Sequence, residues 1–318
     1  MKIFEKVDAI FIKNSMENPD ENFYYFTNLD GIWDRSFAII YPDKIEIFSP
    51  PLEKGNFHFY RSKKELDKLL SNYLKVDKVG FNGERLTYRD YVYLKKITKA
   101  KLIDISNEIK KMRAIKSEKE IRLIKRACRI ALDILNNFKF NKSEREMVIE
   151  IENEIRKKNA EPAFKTIVAF GKNTSIPHHS ATNKKFCMPA LIDLGAKYKR
   201  YCSDITRSYI KKKGKSIYEI VEEALYIAID EIKEGIKAKE VYKKVEKFLE
   251  KYGYKMKHAL GHSIGLLVHD GLSINKGANF EFKENMVFAI EPAIYTKSFG
   301  IRIEEDIVIR KNKAIIIR

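Results

Sequence analysis

The chain has 318 residues, 44% of them hydrophobic, which is enough to build one large core or two smaller ones. It carries 62 Lys and Arg against 44 Asp and Glu, a formal net charge of +18. The basic residues are spread along the chain between glutamates and form no basic arm, so we expect solvated helix faces and no specific nucleic-acid partner.

Membrane insertion and secretion are not expected either. No run of residues is long and apolar enough to cross a bilayer, and the start, MKIFEKVDAIFIKNS, lacks the layout of a secretion signal. The three cysteines form no Cys-x-x-Cys motif and no disulfide pattern. The sequence therefore favours a reducing, cytoplasmic location.

Short strands and helices alternate in the first third of the chain, which is typical of an α/β domain. The pattern predicts strands over 7–12, 37–41, 45–49 and 78–81 and helices over 64–75 and 87–97. A boundary is expected within 105–116, which divides the chain into domains at 1–112 and 113–318.

Longer helices begin after this boundary. Three Ser-x-x-Glu capping boxes, which start at Ser117, Ser143 and Ser216, predict helix N-termini. Apolar residues after the first box recur at the spacing of a buried helical stripe, and Cys128 belongs to this stripe. We therefore interpret Cys128 as a core residue and not as a nucleophile.

The order of elements then repeats. Helices over 118–136 and 143–158 precede strands around 165–170 and 189–210, and helices over 216–234 and 238–252 precede strands around 285–295 and 300–318. This order predicts an α+β fold in which a small α/β domain is followed by a duplicated helix–helix–strand domain with central antiparallel strands.

Four carboxylates lie in apolar strand segments, where an unpaired charge costs several kcal/mol. They are Asp193 in ALIDLG, Asp204 in YCSDITRSY, Glu291 in VFAIEPAIY and Glu304 in GIRIEEDIVI. Each successive pair flanks a predicted turn, so the four should meet in one cleft. A salt bridge would explain any one of them alone, but the four together favour a divalent metal site.

Two of the six histidines bracket one apolar run, GHSIGLLVHD. In an extended strand His262 and His269 would lie on opposite faces, so the pair is poorly placed to chelate one ion by itself. One should be a metal ligand and the other should face substrate across the cleft. Oxygen ligands with one imidazole suit Mn, Co, Fe or Zn.

These motifs, in this order, resemble those of the creatinase/methionine aminopeptidase superfamily with its pita-bread fold. The match is best to its prolidase and aminopeptidase P branch, which the segments AFKTIVAFGKNTSIPHHS and ENFYYFTNLDG also resemble. The resemblance implies a prolidase-like N-terminal domain followed by a pita-bread catalytic domain. Methionine aminopeptidases generally lack a separate first domain of this size.

The resemblance also implies the site. Two divalent ions per subunit, manganese or cobalt first with iron or zinc as alternatives, would be bound by Asp193, Asp204, His262, Glu291 and Glu304. Glu291 would act as the base that transfers the proton of the attacking water. His178 and His269 would stabilise the oxyanion or position the peptide. Arg302 would neutralise excess carboxylate charge or order the residues around the ligands. Glu305 lies next to the motif position and is not expected to be a ligand.

The implied activity is hydrolysis of the peptide bond before proline in Xaa-Pro dipeptides, by a homodimer. An Xaa-Pro aminopeptidase acting on longer peptides is the alternative, because HDGLSINKG lacks the arginine that some prolidases carry after the second histidine. A further alternative is a non-catalytic member that binds peptides or RNA, although such members usually lack several ligands.

Four other residues are singled out by their rarity. His58 and His258 match no functional position and are interpreted as ordinary residues, and the role of His179 stays open. The single tryptophan, Trp33, is either a partly buried loop residue or a residue that reaches a substrate cleft.

Overall fold

The computed structural model describes residues 2–52 and 54–318. The chain forms two compact units, which divide between Met112 and Arg113. Among the described residues, no helix is long and apolar enough to cross a membrane.

The first unit is built on a mixed sheet. Its strands are β1 (Ala9–Asn14), β2 (Ser36–Ile40), β3 (Ile45–Ser49), β4 (His58–Phe59), β5 (Lys78–Phe81) and β6 (Lys101–Asp104). Its helices are α1 (Glu21–Thr27), α2 (Lys63–Tyr73) and α3 (Tyr88–Ile97), and the division between the units falls within α4 (Ser106–Ala114). The strand order is β4-β3-β2-β1-β5-β6, with β1 antiparallel to β2 and parallel to β5.

Apolar residues cover both faces of this sheet. Successive strand residues point to opposite faces, so Phe11 packs in one buried cluster and its neighbour Ile10 in another. Trp33 belongs to the second cluster: it is 6% exposed, and its indole Nε1 donates to the Asp30 carbonyl at 2.8 Å. It is thus a buried loop aromatic in the core of this unit.

The second unit contains the remaining helices and strands. The helices are α5 (Glu118–Asn137), α6 (Glu144–Lys157), α7 (Lys215–Glu231) and α8 (Ala238–Glu250). The strands of the first half are β7 (Glu161–Pro162), β8 (Ile167–Phe170), β9 (Ala190–Leu194), β10 (Ala196–Tyr198), β11 (Tyr201–Cys202) and β12 (Ile205–Tyr209). Those of the second half are β13 (Gly261–Ser263), β14 (Ser273–Ile274), β15 (Val287–Ile290), β16 (Ala293–Tyr295), β17 (Gly300–Arg302), β18 (Glu305–Arg310) and β19 (Lys313–Ile316).

The described strand pairs of this unit are all antiparallel. The first half forms sheets of order β12-β9-β8 and β11-β10-β7, and the second half forms sheets of order β14-β13-β15-β18-β19 and β16-β17. Two helices precede the strands in each half. The predicted α+β architecture, with its duplicated helix–helix–strand domain, is therefore confirmed.

Two of the three predicted capping boxes form. The hydroxyls of Ser117 and Ser143 each accept a hydrogen bond from the backbone N–H of the glutamate three residues later. The side chain of that glutamate in turn accepts a hydrogen bond from the backbone N–H of the serine. The third prediction is wrong, because α7 begins at Lys215 with Gly214 as its N-cap. A 3₁₀ turn over Lys212–Gly214 leads directly into α7, so Ser216 already lies inside the first helical turn.

Several short elements were not predicted, and the predicted strand over 189–210 is divided into four. Its central hairpin, β10–β11, turns at Lys199 and Arg200, which both have positive φ. Helix α1, seven residues long, is too short to show a helical period, although Asp20 caps it.

Candidate metal centre

The five proposed ligands lie where strands are interrupted or paired at the middle of the second unit. Asp193 is on β9 opposite Thr206 of β12, and Asp204 stands directly before β12. Glu291 lies between β15 and β16, and Glu304 between β17 and β18. Each short interruption lets a polar side chain turn into a cavity that the apolar strand residues surround.

All five side chains line one cavity of about 800 Å³. We call them the acidic cluster: Asp193, Asp204, His262, Glu291 and Glu304. Ligand atoms of Asp204, His262 and Glu304 lie within 4.8 Å of one another. The cluster joins both halves of the duplicated domain, as the sequence predicted.

Burial and like charge act together on these carboxyl groups. Asp204 and Glu304 are 5% and 2% exposed. Burial first, and neighbouring carboxylates second, raise the pKa of both groups well above the ordinary value. Burial also raises the pKa of Glu291 to about 8, with Asp193 adding to the effect and Arg302 opposing it. Without a cation, the folded protein therefore disfavours full ionisation of the cluster.

The residues present fit a divalent metal. Asp193 Oδ1 and Asp204 Oδ1 are buried and have no hydrogen-bond partner among the described atoms. A buried carboxylate oxygen that lacks a donor needs a proton or a cation nearby. Four carboxylates with one imidazole form a donor set of mostly hard oxygen atoms, which suits first-row divalent ions.

His262 has the tautomer that a metal ligand requires. Its Nδ1 lies 3.0 Å from the Val268 carbonyl oxygen, to which it donates. This contact leaves the Nε2 lone pair directed towards the cluster, 3.5 Å from Asp204 Oδ2 and 3.9 Å from Glu291 Oε1. Burial lowers the pKa of His262 to about 3, so the ring is neutral.

Arg302 is the cation that the protein itself supplies to the cluster. Its guanidinium donates to Asp193 Oδ2 at 2.5 Å, to Thr206 Oγ1 at 3.1 Å and to the Tyr295 hydroxyl at 2.6 Å. One arginine neutralises one of the four carboxylates, so each of the other three requires a proton or another cation.

The two histidines of the GHSIGLLVHD segment are in contact, and the expectation that they lie on opposite faces is wrong. Their ring centroids are 4.2 Å apart and the rings are nearly perpendicular. The expectation assumed one extended strand, but β13 ends at Ser263 and the chain loops back, with Gly265 N–H bonded to the Leu267 carbonyl. His178 lines the same cavity as His269.

The loop that carries His269 is held by a buried ion cluster. Asp270 forms ion pairs with Arg113 and with Lys116, the latter at 2.9 Å, and all three side chains are almost fully buried. Gly265 passes against this cluster, since a Cβ there would lie 2.3 Å from Asp270 Oδ2. The position of His269 thus depends on charges buried behind the cavity.

One histidine that was interpreted as ordinary lines the cavity. His258 Nδ1 is 3.6 Å from Glu291 Oε2, and its Nε2 is 3.2 Å from the Tyr295 hydroxyl. Burial lowers its pKa, so it is a neutral neighbour of Glu291. No sequence motif marked His258, because its place at the cavity depends on contacts with residues distant in the chain. His58 lies elsewhere, paired with Glu46 in the first unit.

Two acids beside Glu304 have different surroundings. Glu305 pairs with Arg207 Nη2 at 2.8 Å and does not line the cavity. Asp306, which sequence reasoning missed, is fully buried and accepts the backbone N–H of Asp204 at 3.0 Å and the thiol of Cys128 at 3.1 Å. Asp306 therefore supports the backbone of a cluster residue, and Cys128 is a core residue as predicted.

We expect the metal-free protein to lose stability as the pH rises from 6.5 to about 8. Folding raises the pKa of Glu291 from 4.5 to about 8, so here the folded state keeps a proton that the unfolded chain has released. His262 contributes little, because its pKa falls from 6.5 to about 3 and the ring is largely neutral in both states above 6.5. Thermal denaturation after chelation, with and without added manganese, measures this.

The matched control is Glu291→Gln, which should reduce the decline in Tm without abolishing it, because the pKa values of Asp204 and Glu304 are raised as well. Manganese should raise the Tm of the unmodified protein most at the upper end of the range. A Tm that climbs over this range and does not respond to manganese would contradict the account of the acidic cluster.

Comparisons with known proteins identify the family of the chain. Residues 122–311 match the model of metallopeptidase family M24, and residues 5–115 match the creatinase/prolidase N-terminal domain. An Xaa-Pro dipeptidase of Pyrococcus horikoshii is 34% identical over 98% of this chain and 94% of its own length.

Solved structures of the same two-domain architecture are similar over nearly the whole chain. Prolidase from Pyrococcus furiosus superposes with a TM-score of 0.85 at 31% identity, covering 99% of this chain and 97% of that one. X-Pro aminopeptidase from Thermotoga maritima gives 0.86 at 30% identity, covering 98% and 95%. The family match spans more than half of the chain, and the chain belongs to metallopeptidase family M24.

Proposed function

We propose that this metallopeptidase hydrolyses the peptide bond before proline, with Xaa-Pro dipeptides as its substrates. The observation that carries the proposal is the acidic cluster, in which buried carboxylate oxygens without hydrogen-bond partners surround one neutral imidazole. The similarity to the P. horikoshii Xaa-Pro dipeptidase over nearly the full chain supports the choice of substrate.

We propose two divalent ions, manganese or cobalt, held by the five residues of the acidic cluster. When bound, the ions would supply a Lewis acid that polarises the scissile carbonyl and lowers the pKa of the attacking water. The predominance of oxygen donors supports manganese or cobalt over softer ions. The homodimer and the cytoplasmic location remain proposals that rest on the resemblance and on the cysteine pattern.

The chain's own residues move the proton and hold the carbonyl in this proposal. Glu291 accepts the proton of the water and transfers it to the leaving proline nitrogen. His178 and His269 line the cavity, where a ring N–H can donate to the developing oxyanion. Arg302 holds Asp193 in place through their 2.5 Å contact.

Large apolar side chains also line the cavity and suit a proline ring. They are Phe164, Ile167, Pro177, Leu267, Val268 and Leu272. Such walls exclude water and favour a compact apolar ring over a charged side chain. We therefore expect proline on the leaving-group side of the bond.

Glu291→Gln should lower kcat on Ala-Pro by on the order of 10²- to 10⁴-fold, because the amide can neither accept nor return the proton. The measurement is steady-state hydrolysis after loading with manganese or cobalt. Glu281→Gln removes an exposed carboxylate in the segment before β15, so it should leave kcat unchanged. Absence of Xaa-Pro hydrolysis in the unmodified protein, with every divalent ion tried, would overturn the proposal.

One observation favours a second candidate, an Xaa-Pro aminopeptidase acting on longer peptides. Among the described residues that line the cavity, the only lysine or arginine is Arg302, and Asp193 already engages it. Gly271, Leu272 and Ser273 occupy the stretch after His269. None of these three can form an ion pair with the carboxylate of a bound dipeptide.

A comparison of Ala-Pro, Ala-Pro amide and Ala-Pro-Ala separates the two candidates. A dipeptidase that recognises the free carboxylate should cleave Ala-Pro about tenfold faster than the amide, since hydrogen bonds to a charged group contribute roughly 1.5–3 kcal/mol. This is the result that our first proposal predicts. Equal rates on all three substrates would replace it with the aminopeptidase.

A further inference from the structure

The segment that brings His178 to the cavity has little regular structure of its own. It leaves β8 at Phe170, forms a 3₁₀ turn over Gly171–Ser175 and continues without a strand to Thr182. On the cavity side, Arg302 Nη1 donates to the Pro177 carbonyl at 3.3 Å. Something else must hold the outer side of the segment if His178 is to keep one position.

One buried carboxylate provides most of that hold, beside the hydrogen bonds that Gly300 N–H and Arg145 N–H donate to the segment. Glu144, the first residue of α6, is 0% exposed, and its two oxygens accept five hydrogen bonds. Oε1 accepts from Phe170 N and from Asn173 Nδ2, both at 2.8 Å. Oε2 accepts from His179 Nε2 at 2.9 Å and from Thr182 N and Oγ1 at 2.9 and 2.6 Å.

All five donors belong to the segment that carries His178, and they lie on both sides of it in the chain. Burial by itself would raise the pKa of Glu144, but the hydrogen bonds from Thr182 and His179 outweigh burial and lower it. The carboxylate therefore stays ionised, and an ionised acceptor forms hydrogen bonds about twice as strong as a neutral one.

Helix capping does not account for this arrangement. The first turn of α6 is capped by Ser143 and Glu146, which form the complete capping box. Glu144 instead turns away from solvent into the protein, where an ionised group without such partners would cost several kcal/mol. A buried acid with five donors from one segment is best explained by the need to fix that segment.

We propose that Glu144 is a positioning residue for His178, acting through His179 and Thr182. This proposal deepens the proposed function and rests on it, since it assigns Glu144 to the same reaction. His179 follows His178 directly in the chain, so a fixed His179 ring restricts the backbone from which the His178 ring reaches the cavity. Glu144 itself does not line the cavity.

The first test is a double-mutant cycle. Glu144→Gln keeps the shape of the side chain but places an amide NH₂ against N–H and O–H donors. It should lower kcat on Ala-Pro on the order of tenfold or more, with little change in KM, because small displacements of a positioned group are costly. In a His178→Ala background the same change should cause no further loss of kcat.

Glu146→Gln is the matched control. It removes a carboxylate from the same helical turn and opens the capping box, so it should lower stability and leave kcat unchanged. The proposal would be overturned if Glu144→Gln left kcat unchanged, or if it lowered kcat by the same factor in the unmodified and His178→Ala backgrounds. If Glu144→Gln does not fold, Thr182→Val removes one donor and should give a smaller loss of the same kind.

Hydrogen exchange provides a readout that does not depend on activity. In Glu144→Gln the amides of residues 170–182 should exchange faster than in the unmodified protein and in Glu146→Gln, while those of α7 and α8 stay unchanged. Equal exchange in this segment would overturn the positioning role. If the unmodified protein cleaved no Xaa-Pro peptide, the proposed function would be wrong. The exchange measurement would still show whether Glu144 fixes residues 170–182.

Discussion

Electrostatic repulsion within the acidic cluster is the constraint on which the second unit depends. Four carboxylates line one cavity, and Arg302 offsets one of them through its contact with Asp193. Burial and mutual repulsion raise the pKa of Asp204 and Glu304 far above the ordinary value. An arrangement so unfavourable to a folded, metal-free chain is understandable when cations complete it.

The fold meets this constraint with short, interrupted strands. Asp204, Glu291 and Glu304 each occupy a break between consecutive strands, where a side chain can leave the sheet without displacing apolar neighbours. The backbone at these breaks is still held, because Asp204 N–H donates to Asp306 and Glu291 N–H to the Leu260 carbonyl. The polar centre is thus fixed by backbone contacts from within an apolar core.

The surrounding loops are fixed in a similar way, by buried charges outside the cavity. Asp270, between Lys116 and Arg113, follows His269, and His179, bound to Glu144, follows His178. In both cases the residue next to a cavity histidine carries the anchor. In each pair, one residue, the histidine, faces the cavity, and the next residue in the chain fixes the backbone through a buried charge.

The sequence allowed much of this to be predicted, and the gaps have physical causes. Carboxylates in apolar strand segments stand out in the sequence, so Asp193 and Glu304 could be selected as candidates without a structure. The contact between His262 and His269 was not, because it depends on a loop after β13 that strand periodicity cannot reveal. His258 and Glu144 were missed because their roles arise from distant partners, Glu291 and the segment 170–182.

The most direct test of the central claim is the metal content of three proteins, measured by elemental analysis after equilibration with manganese and removal of free ions. We expect two equivalents per chain in the unmodified protein and in Glu305→Gln, whose carboxylate pairs with Arg207. Glu304→Gln, one residue away, should lose at least one equivalent. Equal metal content in the two variants, or no retained metal in the unmodified protein, would contradict the account.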